Sequence, residues 1–213
     1  MAENKSAWVH PTALVEDGVT LGDGTRIWDG VHIRHGAKIG KNCIVGEKTY
    51  VAYDVSIGDH VKINANVYIC AGVTVQDFCM ISAHTVFTND LYPRAGNINL
   101  DGLEVSEPTE DTLETVVCKG TTIGANVTIG PGLTLGEFCM VGMGSVVTRN
   151  VEPYQLVKGV PARGAGWVCA CGLPLVREEH LQTIASQDEI RCTRCHRRYR
   201  WSQERLSPIV HVQ

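Results

Sequence analysis

Four cysteines near the C-terminus carry the sharpest chemical signal in this chain. Cys169 and Cys171 form one close pair, Cys192 and Cys195 another, and 20 residues separate the two. Two thiol pairs at this spacing suit a tetrahedral Zn2+ site, and four thiolates close it, so the metal is structural. The first pair is C-x-C, tighter than the usual C-x-x-C. His180 and His196 are spare donors. The segment holds few apolar side chains and needs a metal or a partner surface to fold. Its arginines, from Arg177 to Arg205, make it basic. Yet the net charge is −4 over 213 residues, so no nucleic acid is expected. Nine cysteines behind MAENKSAWVHP, which lacks a basic and apolar leader, read as reduced thiols or ligands in a cytoplasmic protein. No apolar run suits a membrane.

A second set of candidates is scattered: Trp28, His32 and Arg34 in IWDGVHIRH, Asn64 and Asn66 in VKINANV, His84, Asn89, Asp90 and Arg94 around VFTNDLYPR, and Lys158 and Arg163 in VKGVPAR. A period of six positions them. Val9, Val15, Leu21 and every sixth residue to Ile81 are branched aliphatics, and the run resumes from Val117 to Val147. The fifth places, such as Ala13, Val31, Cys43 and Thr49, are small or β-branched. A coil of short parallel strands with tight corners fits this period, whereas a helix or hairpin does not. Three hexads make one triangular turn, with first and fifth residues inward and turns about 4.8 Å apart. This predicts a mainly β protein: a parallel β-helix over residues 1–160 and a small C-terminal zinc ribbon over 161–213. The interior is expected to be too narrow for polar side chains, with Trp8 over the open end. Residues 87–116 interrupt the repeat as a protruding loop of the length that usually carries function. Its acids Glu104, Glu107, Glu110, Asp111 and Glu114 read as a solvated face.

The repeats, with HPTALVEDG, TRIW, VKINANV, VFTNDLYPR, TIGANVTI and VKGVPARGAGWV, resemble the hexapeptide-repeat nucleotide-sugar 3-amino N-acetyltransferases. That resemblance spans nearly the whole prism and implies a left-handed coil. The chain departs from the family at Asp29-Gly30 and at Ser82-Ala83-His84-Thr85, and in its cysteine tail. The implied reaction is attack of a sugar amine on the thioester of acetyl-CoA. The substrate would be a UDP- or dTDP-linked 3-amino-3-deoxyhexose.

The same resemblance implies roles. Asn89 positions the amine, and the leaving thiolate can take the proton. His84 is the candidate base, since an imidazole titrates near neutrality, with Asp90 orienting it or the amine. Gly124, Gly142, Gly144 and Ser145 would expose backbone to the pantetheine arm, and Lys158 and Arg163 would meet the coenzyme's phosphates. Arg34, Asn64, Asn66 and Arg94 are the candidates for the nucleotide-linked sugar. A homotrimer would form three clefts, each taking Asn89 and His84 from one chain and part of the coenzyme site from its neighbour. The alternatives are an O-acetyltransferase on a sugar hydroxyl and a non-enzymatic scaffold. A γ-type carbonic anhydrase is disfavoured, because His32, His35, His60 and His84 do not share the 18-residue turn that would stack them.

Overall fold

The computed structural model describes residues 6–105, 108–109, 112–177, 189–202 and 205–209. Short parallel strands, β1 (Trp8–Val9) to β20 (Val146–Val147), follow one another at six-residue intervals, save for one long interruption between Phe87 and Thr115. Each pairs with the strand one coil above, Trp8 with Arg26 and Arg26 with Ile44, in steps of 18 that lengthen to 42 across the interruption, as from Met80 to Thr122. Three parallel sheets of seven, seven and six such strands make the faces of a prism. We call them the first, second and third face in chain order. The corner between the first two is the first corner, and the others follow.

The six-residue period has two separate causes. The aliphatic in first place points inward: Ile27, Ile33, Ile63, Ile69 and Ile123 are fully buried in one continuous core. Burying each contributes about 1.5–3 kcal/mol. The fourth place turns the corner in the left-handed region: Gly30, Asn42, Asp54, Asn66, Phe78, His84 and Asn126 all have φ between 54° and 63°. That is the third residue of a type II turn, which favours Gly and Asn.

The interior departs from expectation. Thr25, Thr49, Thr85, Thr121 and Ser145 are buried inside it. Each hydroxyl donates to a carbonyl at its own corner: Thr25 Oγ1 to Gly40 O (2.6 Å), Thr49 to Asn64 O (3.0 Å), Thr121 to Gly136 O (3.1 Å). The prism admits small polar groups because the corner backbone satisfies them, which removes the penalty of burial. Cys43, Cys79 and Cys139 stack in the same inner positions, and burial pushes Cys79 and Cys139 up to about 12.

The two ends differ. Trp8 does not cover the lower end. It stands on the outside of the first face, edge-on to Trp28 at 5.4 Å, and Val9 and Leu14 stay exposed. At the upper end, β21 (Gln155–Lys158) adds to the first face. It turns back antiparallel through β22 (Arg163–Val168) to β23 (Pro174–Arg177). The expected division at residue 160 falls in the turn of this hairpin. A three-stranded antiparallel sheet follows: β24 (Ile190–Arg191), β25 (Arg198–Ser202) and β26 (Arg205–Pro208). A second core holds the tail against the last corner, through Phe138, Tyr154, Trp167, Val176, Tyr199 and Leu206. Among the described residues no helix is long and apolar enough to cross a membrane.

Candidate active site and metal centre

The interrupting loop leaves the prism at the second corner, between β14 (Val86–Phe87) and β15 (Thr115–Val117). Its root is anchored by Thr88, whose backbone N and Oγ1 both donate to Ile129 O at 3.0 Å. Asn89, Asp90 and Arg94 then line one cavity of about 310 Å3 with Tyr92, Glu104 and Leu113. Asn89 is half-buried, whereas Asp90 is exposed. Tyr68 and Cys70 lie beneath. Burial pushes both upward, Cys70 to about 11, and the charge of Asp90 adds to the effect. Glu104 and Glu114 are exposed, as a solvated face requires, while Glu107, Glu110 and Asp111 lie outside the described residues. Further along, Gly96 bridges Leu103, and Leu91, Tyr92, Ile98, Leu100 and Val105 are exposed.

His84 is elsewhere. It turns the first corner with φ 60°, at the other end of β14 from Asn89. The two cannot share a contact within one chain, because an extended strand and the width of the second face lie between them. A cleft that takes both from one chain must therefore span the width of that face. Asn66 stands one coil below His84 on the same corner, and Asn64 lines a groove beside it. Arg34 is held inside its own chain. Its Nε is 2.7 Å from Glu16 Oε1, Nη1 donates to the Tyr50 hydroxyl at 3.0 Å, and its plane lies 4.0 Å from the Tyr53 ring. Glu16 also accepts from His32 Nε2 (2.8 Å) and His35 N (2.9 Å), and these bonds hold its carboxyl below the usual range.

The upper coils show which expected coenzyme residues have other duties. A Cβ on Gly124 would come 2.5 Å from Met143 N, and one on Gly142 would come 3.0 Å from the Lys158 Cβ. Both glycines are needed for the approach of the next coil. Gly144 is different: it turns an open corner at φ 68°, with nothing near a Cβ. The Ser145 hydroxyl points into the prism, donating to Gly142 O (2.7 Å) and accepting from Gly159 N (3.0 Å), which leaves its backbone as the part that could meet a ligand. Lys158 and Arg163 face each other across the hairpin, both exposed.

The four cysteines of the tail come together as expected. All four Sγ atoms lie within 4.8 Å of one another, with Cys169–Cys195 at 3.3 Å and Cys171–Cys192 at 3.6 Å. Zn–S bonds of 2.3 Å in a tetrahedron require sulfurs about 3.8 Å apart, so the donor set fits Zn2+. Backbone donation at Arg197 draws Cys195 down to about 6, whereas burial pushes Cys169 up to about 12. Tyr199 supplies an outer contact that the sequence did not reveal. Its hydroxyl lies 3.1 Å from Cys169 Sγ and accepts from Ala170 N at 2.9 Å. His196 instead closes the second knuckle turn, its N donating to Cys192 O, and His180 lies outside the described residues.

The profile of the bacterial transferase hexapeptide family (six repeats) matches residues 18–52, 54–89 and 114–149, which are half of the chain. A dTDP-3-amino-3,6-dideoxy-alpha-D-galactopyranose 3-N-acetyltransferase of Aneurinibacillus thermoaerophilus is 40% identical over 96 residues, 45% of each chain. The galactoside O-acetyltransferase of Escherichia coli is 44% identical over 41 residues, 19% of this chain and 20% of that one. The match thus spans less than half the length of either relative. Among solved structures, an N-acyltransferase of Bacillus cereus in complex with dTDP and coenzyme A superposes with a TM-score of 0.50 at 19% identity, covering 86% of this chain and 88% of that one. That likeness concerns the fold.

Proposed function

Since this chain belongs to the bacterial transferase hexapeptide family, whose repeats imply a left-handed β-helix, we propose that it is an acetyl-CoA-dependent N-acetyltransferase. Its substrate is the 3-amino group of a UDP- or dTDP-linked amino sugar. The observation that carries this reading is the loop-root cavity, where Asn89 meets the carboxylates of Asp90 and Glu104. An amide oxygen and carboxylates accept hydrogen bonds from an amine. They would orient its lone pair toward a thioester carbonyl and stabilise the positive charge that grows on nitrogen. The proton then leaves to the coenzyme thiolate or to His84. Gly144 and the exposed pair Lys158 and Arg163 suit the coenzyme side. Arg94 and Asn64 suit the nucleotide-linked sugar. Such donors of acetyl groups belong to the cytoplasm, which also keeps thiols reduced.

The site is composite. On the second face Leu14, Tyr68 and Val86 are exposed. With that face toward a three-fold axis, the first corner of one chain meets the second corner of the next. Each cleft then takes His84 from one chain and Asn89, Asp90 and Arg94 from its neighbour. The expected assembly is a homotrimer of three 23.2 kDa chains.

Two experiments test this. Acetyl-CoA with 3-amino, 4-amino and hydroxyl nucleotide sugars should release free thiol only with a 3-amino sugar; no release with any amine overturns the reaction. Mixing inactive His84→Ala and Asn89→Ala chains should restore about a quarter of wild-type activity, because each mixed trimer has one intact cleft. No recovery after subunit exchange would mean that one chain supplies both residues to a cleft, and would overturn the composite site.

A further inference from the structure

The lower first face carries a cavity with no role in the reading above. Trp8, Arg26 and Trp28 line a cavity of about 520 Å3 with Ser6, Ala7 and Gly24. The two indoles meet edge-on at 5.4 Å and remain 45% and 37% exposed. Singly exposed apolar side chains are ordinary, but a facing tryptophan pair around a cavity is not. The cavity does not end there. Trp28 also opens a groove of about 380 Å3 that climbs the first corner past Gly46 and Glu47 to Asn64, Ala65 and Ala83. Ala83 is next to His84.

We propose that the Trp8–Trp28 cavity is the nucleobase subsite of the nucleotide-linked substrate, and that the groove carries its diphosphate up to the reacting sugar. This rests on the reading of the chain as a nucleotide-sugar acetyltransferase and specifies how the substrate lies. The groups along the cavity and groove suit the parts of such a ligand. An indole face offers stacking to a base, independent of its identity. Glu47, one coil higher, offers a carboxylate to the pentose hydroxyls. Arg26, at the wall of the base cavity, and Lys62, two coils above it on the same face, are both exposed and provide positive charge for a diphosphate, and Asn64 between them and the corner provides an amide donor. Gly46, Ala65 and Ala83 keep the floor low enough for the chain of atoms to lie against it. From Trp28 to Ala83 is three coils, about 14 Å at 4.8 Å per coil. A pentose, two phosphates and a glycosidic oxygen span a distance of that order. Arg34, by contrast, is spent on Glu16, Tyr50 and Tyr53.

Binding reads this without turnover. UDP and dTDP are titrated into the full-length protein, followed by calorimetry and by indole fluorescence. The expected result is binding of at least one of them, weakened roughly tenfold or more in Trp28→Ala and Trp8→Ala, weakened also in the Arg26→Gln, Lys62→Gln double variant, and largely restored in Trp28→Phe. Coenzyme A affinity, measured on the same samples, should stay within twofold and reports that each variant is folded. Nucleotide affinity unchanged in both tryptophan variants overturns the subsite, as does the absence of binding by either nucleotide. Lack of acetyl transfer to an amine would count against the proposed reaction alone, because this measurement needs none.

Discussion

Glu16 shows how one side chain can hold a local arrangement together. It accepts from His32, from the His35 backbone and from Arg34, and its pKa is lowered from 4.5. A carboxyl whose folded pKa is depressed adds stability above its unfolded pKa and loses it as pH falls through the lower folded value. The melting temperature of the wild type should therefore exceed that of Glu16→Gln at pH 7, and the gap should begin to narrow below about pH 4.5 and close once pH falls past the lower folded value. Melts from pH 7 to pH 3 check this; a gap constant with pH would mean the carboxylate charge contributes nothing. His84 illustrates the opposite difficulty. Its residue type announces a base, but its φ of 60° shows that the position first serves to turn a corner.

At the scale of the element, the corner decides what each residue can be. Fourth places need a left-handed backbone, and second places need room for the coil above. Gly124 answers the second need: an added methyl would meet Met143 N at 2.5 Å. Gly124→Ala should therefore cost about 1–3 kcal/mol, the usual range for overpacking. Gly144→Asn, at an open left-handed corner, should cost little, since Asn tolerates that conformation. Denaturant midpoints of the two variants settle the order, and equal values would refute it. The period of six was legible because burial imposes it on every coil. The hydroxyl lining of the interior was not, because it depends on carbonyls contributed by residues about 15 positions away.

At the scale of the molecule, the tail is held against the last corner of the prism. Phe138 stacks on Tyr154, Tyr154 meets Tyr199 edge-on, and the Tyr199 hydroxyl reaches Cys169. The metal centre is thereby packed against the last corner. Purified protein should carry one Zn2+ per chain, and a chelator that removes it should lower the melting temperature. Tyr199→Phe should weaken zinc affinity about 10–100-fold, as loss of an outer hydrogen bond to a ligand does. Less than half an equivalent of zinc in metal-replete protein, or an unaltered affinity in Tyr199→Phe, would contradict the assignment.

The sequence by itself determined the prism, the place of the interrupting loop and the cysteine set. Each of these is written in spacing: six residues for a buried aliphatic, 20 between two thiol pairs. Only the tertiary structure decided which candidates meet. It put His84 and Asn89 on different corners, turned the Ser145 hydroxyl inward, bound Arg34 to Glu16, and joined Trp8 to Trp28 above a shared cavity. The reason is that a solenoid makes neighbours of residues 18 apart and strangers of residues five apart, so proximity along the chain says little about which side chains share a surface.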